Sequence, residues 1–184
     1  MSQTNETGFV RVCSSSETGE VLAIINAAAE AYRGVIPADR WHEPYMSAEE
    51  LAAELADGVT FSGWQATDRL VGVMGVQQRR NVDLIRHAYV VPHWQGHGIG
   101  SRLLQHLCQS AERQILIGTW AAADWAIRFY TRHGFAAVAD HDIAPLLRTY
   151  WNVPEAQIAT SVVLASPPLF HEAARRLIAE AVDL

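Results

Sequence analysis

Between Pro92 and Ser101 the chain changes character, and that change narrows what it can fold into. Upstream lie three apolar, strand-like segments, 59–65, 70–77 and 82–91. Turn-prone Thr67-Asp68 and Arg80-Asn81 separate them, so they read as an antiparallel meander. Downstream, 101–111 sets Leu103, Leu104 and Leu107 on one helical face. The joint is Gln95-Gly96-His97-Gly98-Ile99-Gly100, with glycines at alternate positions. Such glycines let the backbone turn tightly and expose consecutive N–H groups. The helix behind them adds its own free N–H groups and the positive end of its dipole. A strand, loop and helix in this order make a pyrophosphate site from backbone, or else an ordinary strand-to-helix turn.

The remaining pattern surrounds this joint with further strands and helices. A first strand is expected near 9–13. A helix over 17–32 carries Val21, Leu22, Ile24, Ile25, Ala28, Ala29 and Tyr32, and is ended by Gly34 and Pro37. Residues 32–45 are rich in Arg, Trp, His, Pro and Tyr and show no period. Ser47-Ala48-Glu49-Glu50 reads as a capping box that opens a short helix to about Ala56. Further on come a strand at 114–117, a helix at 124–133 stopped by Gly134, and strands at 135–138 and 161–165. The tail, 167–184, places Phe170, Ala174, Leu177, Ile178 and Ala181 at helical spacing. A mixed sheet with helices on both faces is the economical arrangement. It gives one domain over 1–166 and a helical extension over 167–184. The tail's stripe either packs on that domain or meets a second copy as a homodimer contact.

Composition excludes several classes. With 184 residues, 49% hydrophobic and 18% charged, the chain can build a globular core. A net charge of −6 leaves no basic field for nucleic acid. No apolar run is long enough to cross a bilayer, and residues 1–8 lack a signal-peptide core, so no membrane role is expected. Cys13 and Cys108 are too few for a disulfide framework and lack metal-ligand spacing, which suits a cytoplasmic protein. His93-x-x-x-His97 straddles a Pro-and-Gly loop with no third ligand, and no metal is expected. Gly96-x-Gly98 before Ser101 faintly echoes a dinucleotide fingerprint, but no acidic residue stands about twenty positions on.

Two segments carry a family resemblance. The run Val90-Val91-Pro92-His93-Trp94-Gln95-Gly96-His97-Gly98-Ile99-Gly100-Ser101-Arg102-Leu103-Leu104 resembles the cofactor signature of the GNAT superfamily of acyl-CoA N-acyltransferases. Gln95, Gly98 and Gly100 stand at its fixed positions. The segment Ala126-Ile127-Arg128-Phe129-Tyr130-Thr131-Arg132-His133-Gly134-Phe135 resembles the other signature, a helix with Phe-Tyr followed after three residues by Gly-Phe. The two occur in the family's order and separation. The resemblance spans 59–138 by motif, the N-terminal helices by layout alone, and the tail not at all.

The resemblance implies an α/β fold with a mixed, mainly antiparallel sheet, helices on both faces and a splayed strand pair holding CoA. The splayed pair is the strand ending at Val91 and the strand near Leu116. Acetyl-CoA is the implied cosubstrate. Its pantetheine arm would pair with backbone of Tyr89, Val90 and Val91. Its pyrophosphate would lie on backbone of Gln95, Gly96, His97, Gly98, Ile99, Gly100 and Ser101. The implied reaction is direct attack on the thioester by an amine, of a small molecule or a peptide, entering beside 32–45 and 148–151. A tyrosine at the Tyr130 position is implied to protonate the departing thiolate.

The general base is left open. The family's base positions fall on Leu84 and Arg86, neither of which is a base. Strand alternation sets Leu84, Arg86, Ala88 and Val90 on one face and His87 on the other, unless a bulge reverses the order. His87, Glu43, His42 and water are the candidates. Arg86 is instead expected to meet a carboxylate or phosphate of the substrate. Ala123 departs from the family, where an Asn often contacts the pantetheine arm. The missing strand carboxylate also sustains an alternative, a non-catalytic acyl-CoA sensor of the same fold. The tryptophans Trp41, Trp120, Trp125 and Trp151 either line a pocket or fill the core.

Overall fold

Apolar spacing sorts the chain into alternating strands and helices. The structure, a computed structural model, describes residues 8–182. The signal-peptide reading of 1–8 therefore lies outside the described residues except at Gly8, as do 183–184 of the tail. In chain order the elements are β1 (Phe9–Val12), α1 (Thr18–Ala29), α2 (Ala48–Ala56), β2 (Thr60–Gln65), β3 (Leu70–Arg79), β4 (Val82–Val90) and α3 (Ile99–Ser110). There follow β5 (Gln114–Trp120), α4 (Asp124–Arg132), β6 (Ala136–Ala137), α5 (Asp140–Tyr150), α6 (Glu155–Ile158), β7 (Ser161–Ser166) and α7 (His171–Val182). The strands form one mixed sheet in the order β1-β2-β3-β4-β5-β7-β6. β4 and β5 run parallel, and β1/β2, β2/β3, β5/β7 and β6/β7 run antiparallel. This is the mixed, mainly antiparallel α/β architecture expected. None of the helices described is long and apolar enough to cross a membrane.

The chain divides into two compact units. The first comprises Met1–Arg33, Asp39–Val76 and Arg86–Ser110. In it α1 buries Val21, Ile24, Ile25, Ala28 and Ala29, the i, i+3, i+4 stripe that its spacing dictates. Helix α2 opens on the expected capping box: Glu50 N–H donates to Ser47 Oγ (3.1 Å) and Ser47 N–H donates to Glu50 Oε2 (2.7 Å). Leu51 joins the α1 residues in a core with Phe61, Leu70 and Val73. Gly72, the neighbour of Val73, faces the other way, toward Ile99 and Leu103 of α3. Helices thus cover both faces of this part of the sheet.

The second unit comprises Gly34–Ala38, Gln77–Ile85 and Ala111–Leu184. Its core joins Val82, Leu84, Leu116, Val163 and Ala165 of the sheet to Leu146, Leu147 and Tyr150 of α5 and to Ala174 and Ala181 of α7. Leu177 and Ile178 pack on the same cluster, so most of the tail's stripe is used here, while Phe170 is exposed. Two elements of this unit escape the sequence reading. Helix α5 carries Pro145 inside it, a residue that removes an N–H and opposes a helix assignment. Helix α6 is a single turn.

Candidate active site

Strand β4 delivers the chain to the glycine loop. Val91 N–H donates to Val71 O (2.9 Å). Polar groups of successive strand residues address opposite edges, so Tyr89 and Val91 face β3 and Val90 faces away from it. Gln95 Nε2 donates to the Val90 carbonyl (3.0 Å). Of the three residues implied to pair with the pantetheine arm, Val90 is the one whose backbone addresses the far edge. The parallel register of β4 with β5 runs from Val82 and Gln114 to Ile85 and Ile117, whereas β4 itself continues to Val90.

The loop begins with a tight turn at Pro92–Trp94, closed by Trp94 N–H on Val91 O (2.8 Å). Gly96 (φ +81) and Gly98 (φ +77) then take left-handed conformations. A Cβ at either would meet nothing within 4 Å, so open space lies over the loop. Arg102 N–H closes the first helical turn on Gly98 O (3.1 Å). The N–H groups of Ile99, Gly100 and Ser101 precede that bond and have no helical acceptor. His97 bends back, its Nδ1 at 3.0 Å from Gln95 O. Ile99 is buried against Gly72, where a Cβ would come to 2.9 Å from Ile99 Cγ2 and 3.2 Å from Val90 Cγ2. Glycine at 72 is what lets α3 sit this close to β3. These residues fit an anionic diphosphate, with exposed N–H groups, a helix dipole and room above them.

Alternation fails at His87, where φ is +51 in mid-strand. The kink acts as the bulge that the sequence reading required, and Arg86 and His87 reach the same carboxylate. Arg86 Nη2 lies 2.8 and 2.7 Å from the two oxygens of Glu54 on α2. His87 Nε2 lies 3.3 Å from Glu54 Oε2, and its ring stands 6.0 Å from Phe61. Burial acts to raise the Glu54 carboxyl, but the contacts from His87 and Arg86 hold it below the ordinary carboxylate value. The expectation that Arg86 meets a substrate carboxylate is thus corrected: the carboxylate is Glu54. Sequence reasoning passed over Glu54, although it stands three residues after the fully buried Leu51 and so on its face of α2.

The 32–45 region is ordered by aromatic contacts rather than by periodicity. Tyr32 stacks on Tyr45 (6.0 Å, 7°) and meets Tyr89 edge-on (6.4 Å). Trp41 lies 5.6 Å from Tyr45 and carries the Arg33 guanidinium 4.6 Å from its ring. Glu43, one base candidate, is 2.5 Å from Arg33 and largely exposed. His42, another, donates from Nδ1 to Pro44 O (3.0 Å).

In the second unit Tyr130 is 6% exposed on α4, its ring edge-on to Phe129 (5.1 Å) and Phe135 (5.7 Å). The Phe-Tyr and Gly-Phe parts of the second signature therefore meet in space. Ala123 is fully buried as the residue before α4. Trp151 packs against Gly118, and Trp120 is buried, while Trp125 is partly exposed.

A family model for the acetyltransferase (GNAT) domain matches residues 23–144, and the chain belongs to this family. No curated protein matches it in sequence. Solved structures resemble it in fold. The PaiA N-acetyltransferase of Thermoplasma acidophilum, solved in complex with coenzyme A, superposes with a TM-score of 0.66 at 16% identity, over 86% of this chain and 98% of that one. The ribosomal-protein-S18-alanine N-acetyltransferase of Escherichia coli gives 0.58 at 14% identity, over 86% and 92%. N-acetylglutamate synthase of Neisseria gonorrhoeae, complexed with coenzyme A and N-acetyl-glutamate, gives 0.58 at 19% identity, over 86% of this chain and 34% of that one.

Proposed function

We propose that the chain is an N-acetyltransferase that moves the acetyl group of acetyl-CoA to an amine of a small molecule or a peptide. The carrying observation is the backbone cradle between Gly96 and Ser101, in a chain of this family. Gly96 to Ser101 hold the diphosphate on N–H groups, with Gln95 fixing the loop to Val90. Val90 orients the pantetheine arm along the β4 edge beyond Ile85. When bound, acetyl-CoA supplies a thioester carbonyl for direct attack by the amine.

His87 takes the proton that the amine loses. With its Nε2–H turned to Glu54, Nδ1 is left as the acceptor, and Glu54 stabilises the imidazolium that forms. The Tyr130 hydroxyl gives its proton to the sulfur as the carbon–sulfur bond breaks. The aromatic residues Tyr32, Trp41 and Tyr45 border the amine. The free thiols Cys13 and Cys108 suit a reducing cytoplasm.

The sensor reading rested on the absence of a carboxylate at Leu84 and Arg86 of β4, the family's base positions. Glu54 brings a carboxylate to that strand from α2, which favours the enzyme. A panel of amines assayed for CoA thiol release and acetylated product tests the proposal. Thiol release that needs both acetyl-CoA and an amine is expected. Tight acetyl-CoA binding with no turnover on any amine would instead make the chain a sensor.

A further inference from the structure

In the second unit, three potential metal ligands converge. His141 and Asp142 lie in the first turn of α5, and His171 is the first residue of α7. His171 Nδ1 is 2.7 Å from Asp142 Oδ1 and 2.9 Å from His141 Nε2. His141 Nε2 is 3.7 Å from Asp142 Oδ2. One ligand atom from each residue falls within 4.8 Å of the other two. Asp142 is 3% exposed, and its Oδ2 has no hydrogen-bond partner among the described residues.

Protons do not satisfy this arrangement well. A ring nitrogen carries either a proton or a lone pair. If His171 Nδ1 carries a proton, that proton goes to Asp142, and His141 Nε2 is crowded against a hydrogen already engaged. If it does not, its lone pair faces the carboxylate with nothing between them. A first-turn carboxylate alone has a simple explanation in the helix dipole, and Asp140 and Asp142 both have it. The dipole does not explain two imidazole nitrogens drawn to the two oxygens of one buried carboxylate. A cation among three lone pairs does.

We infer that His141, Asp142 and His171 form a binding site for a divalent transition metal of the zinc class, which ties the start of α5 to the start of α7. Two imidazoles and a carboxylate are a donor set zinc favours, and water completes its coordination. Zinc holds such ligands at about 2.0–2.2 Å, which spaces them roughly 3.0–3.5 Å apart. His171 must open by a few tenths of an ångström and His141 close slightly on Asp142, and the His141 and His171 side chains, 62% and 44% exposed, have room to do so. Buried Asp142 stays as the fixed point. The proposal departs from the sequence reading, which considered metal at His93 and His97 and expected none.

The test is calorimetric titration of zinc into the full chain after chelator treatment and removal, with the variants His141→Ala, His171→Ala and His93→Ala. Wild type and His93→Ala should each bind one equivalent. His141→Ala and His171→Ala should each lose at least about tenfold in affinity, since even outer-shell changes reach that size. Zinc should raise the melting temperature of wild type and leave those two variants unmoved. The His141 ring is exposed, so apo His141→Ala should melt close to apo wild type, whereas apo His171→Ala, which takes the 2.7 Å partner from buried Asp142, should melt lower. If either variant loses its folded baseline, the other decides. Absence of one-equivalent binding in wild type, or undiminished affinity in a folded His141→Ala or His171→Ala, would overturn the site.

Discussion

Glu54, His87 and Arg86 form the part of the site where single atoms decide most. Burial pushes the Glu54 carboxyl up, and His87 and Arg86 together bring it below its ordinary value. A carboxyl lowered in the folded state stabilises the fold above its unfolded pKa, near 4.3 for Glu. That stability is lost as pH falls through the folded value. Glu54→Gln should therefore unfold more easily than wild type at pH 7, by about 1–3 kcal/mol. The gap should close below about pH 4. Urea midpoints across pH measure this, and a constant gap would mean the charge is irrelevant. For chemistry, His87→Gln should lower turnover by about 10²–10⁴-fold in a thiol-release assay while leaving acetyl-CoA affinity unchanged. Tyr130→Phe keeps the ring against Phe129 and Phe135 and removes the hydroxyl proposed to protonate the departing sulfur. Turnover should fall by about a hundredfold or somewhat less, with acetyl-CoA affinity within about tenfold. Wild-type turnover in Tyr130→Phe, with chemistry rate-limiting, would leave Tyr130 as packing alone. The sequence put Tyr130 in its signature but hid the Glu54 pairing. No residue pattern encodes a left-handed kink at a histidine, and without it the alternation sends Arg86 and His87 to opposite faces.

At the scale of elements, what was legible followed local rules and what was missed followed tertiary ones. The capping box at Ser47 and the α1 stripe are set by residues within one or two turns, and they form as read. Helix α5 was not read from the sequence, although Ile143, Leu146, Leu147 and Tyr150 have helical spacing, and Pro145 inside it opposes a helix. Packing of that face on the second unit's core outweighs the missing N–H. Tyr150 anchors it: its hydroxyl donates toward Asn81 Oδ1 (2.8 Å) and Leu177 O (3.0 Å). Burial pushes that hydroxyl up to about 12, so it remains a neutral donor. Arg80 Nη1 and Asn81 Nδ2 donate to the late α7 carbonyls of Ala181 and Leu177. These long-range contacts could not be read from helical spacing, which showed a stripe in the tail but not what covers it. Tyr150→Phe leaves Asn81 Oδ1 short of a donor, and the loss should be about 1–3 kcal/mol by chemical denaturation. Ser47→Ala should cost about 1 kcal/mol, with the loss confined to α2 in hydrogen exchange.

Across the molecule, the fold was readable because its two signatures are short and stand in a fixed order. Each also meets a physical requirement, left-handed glycines before a helix in the first and a Phe-Tyr pair against Gly-Phe in the second. The 32–45 region was not readable, because it is held by ring contacts between Tyr32, Trp41, Tyr45 and Tyr89 that no period announces. The central claim is that the loop between Gly96 and Ser101 holds the diphosphate of acetyl-CoA on backbone. Calorimetric titration of acetyl-CoA into wild type and Gly98→Asn tests it most directly. Asparagine tolerates the φ of +77 at this position, so the loop should keep its course while a side chain enters the space above it. The expected result is one saturable site in wild type and at least tenfold weaker binding in Gly98→Asn, about 1.4 kcal/mol or more. The variant's melting temperature should stay near that of wild type. Equal affinity in the two proteins would contradict the account.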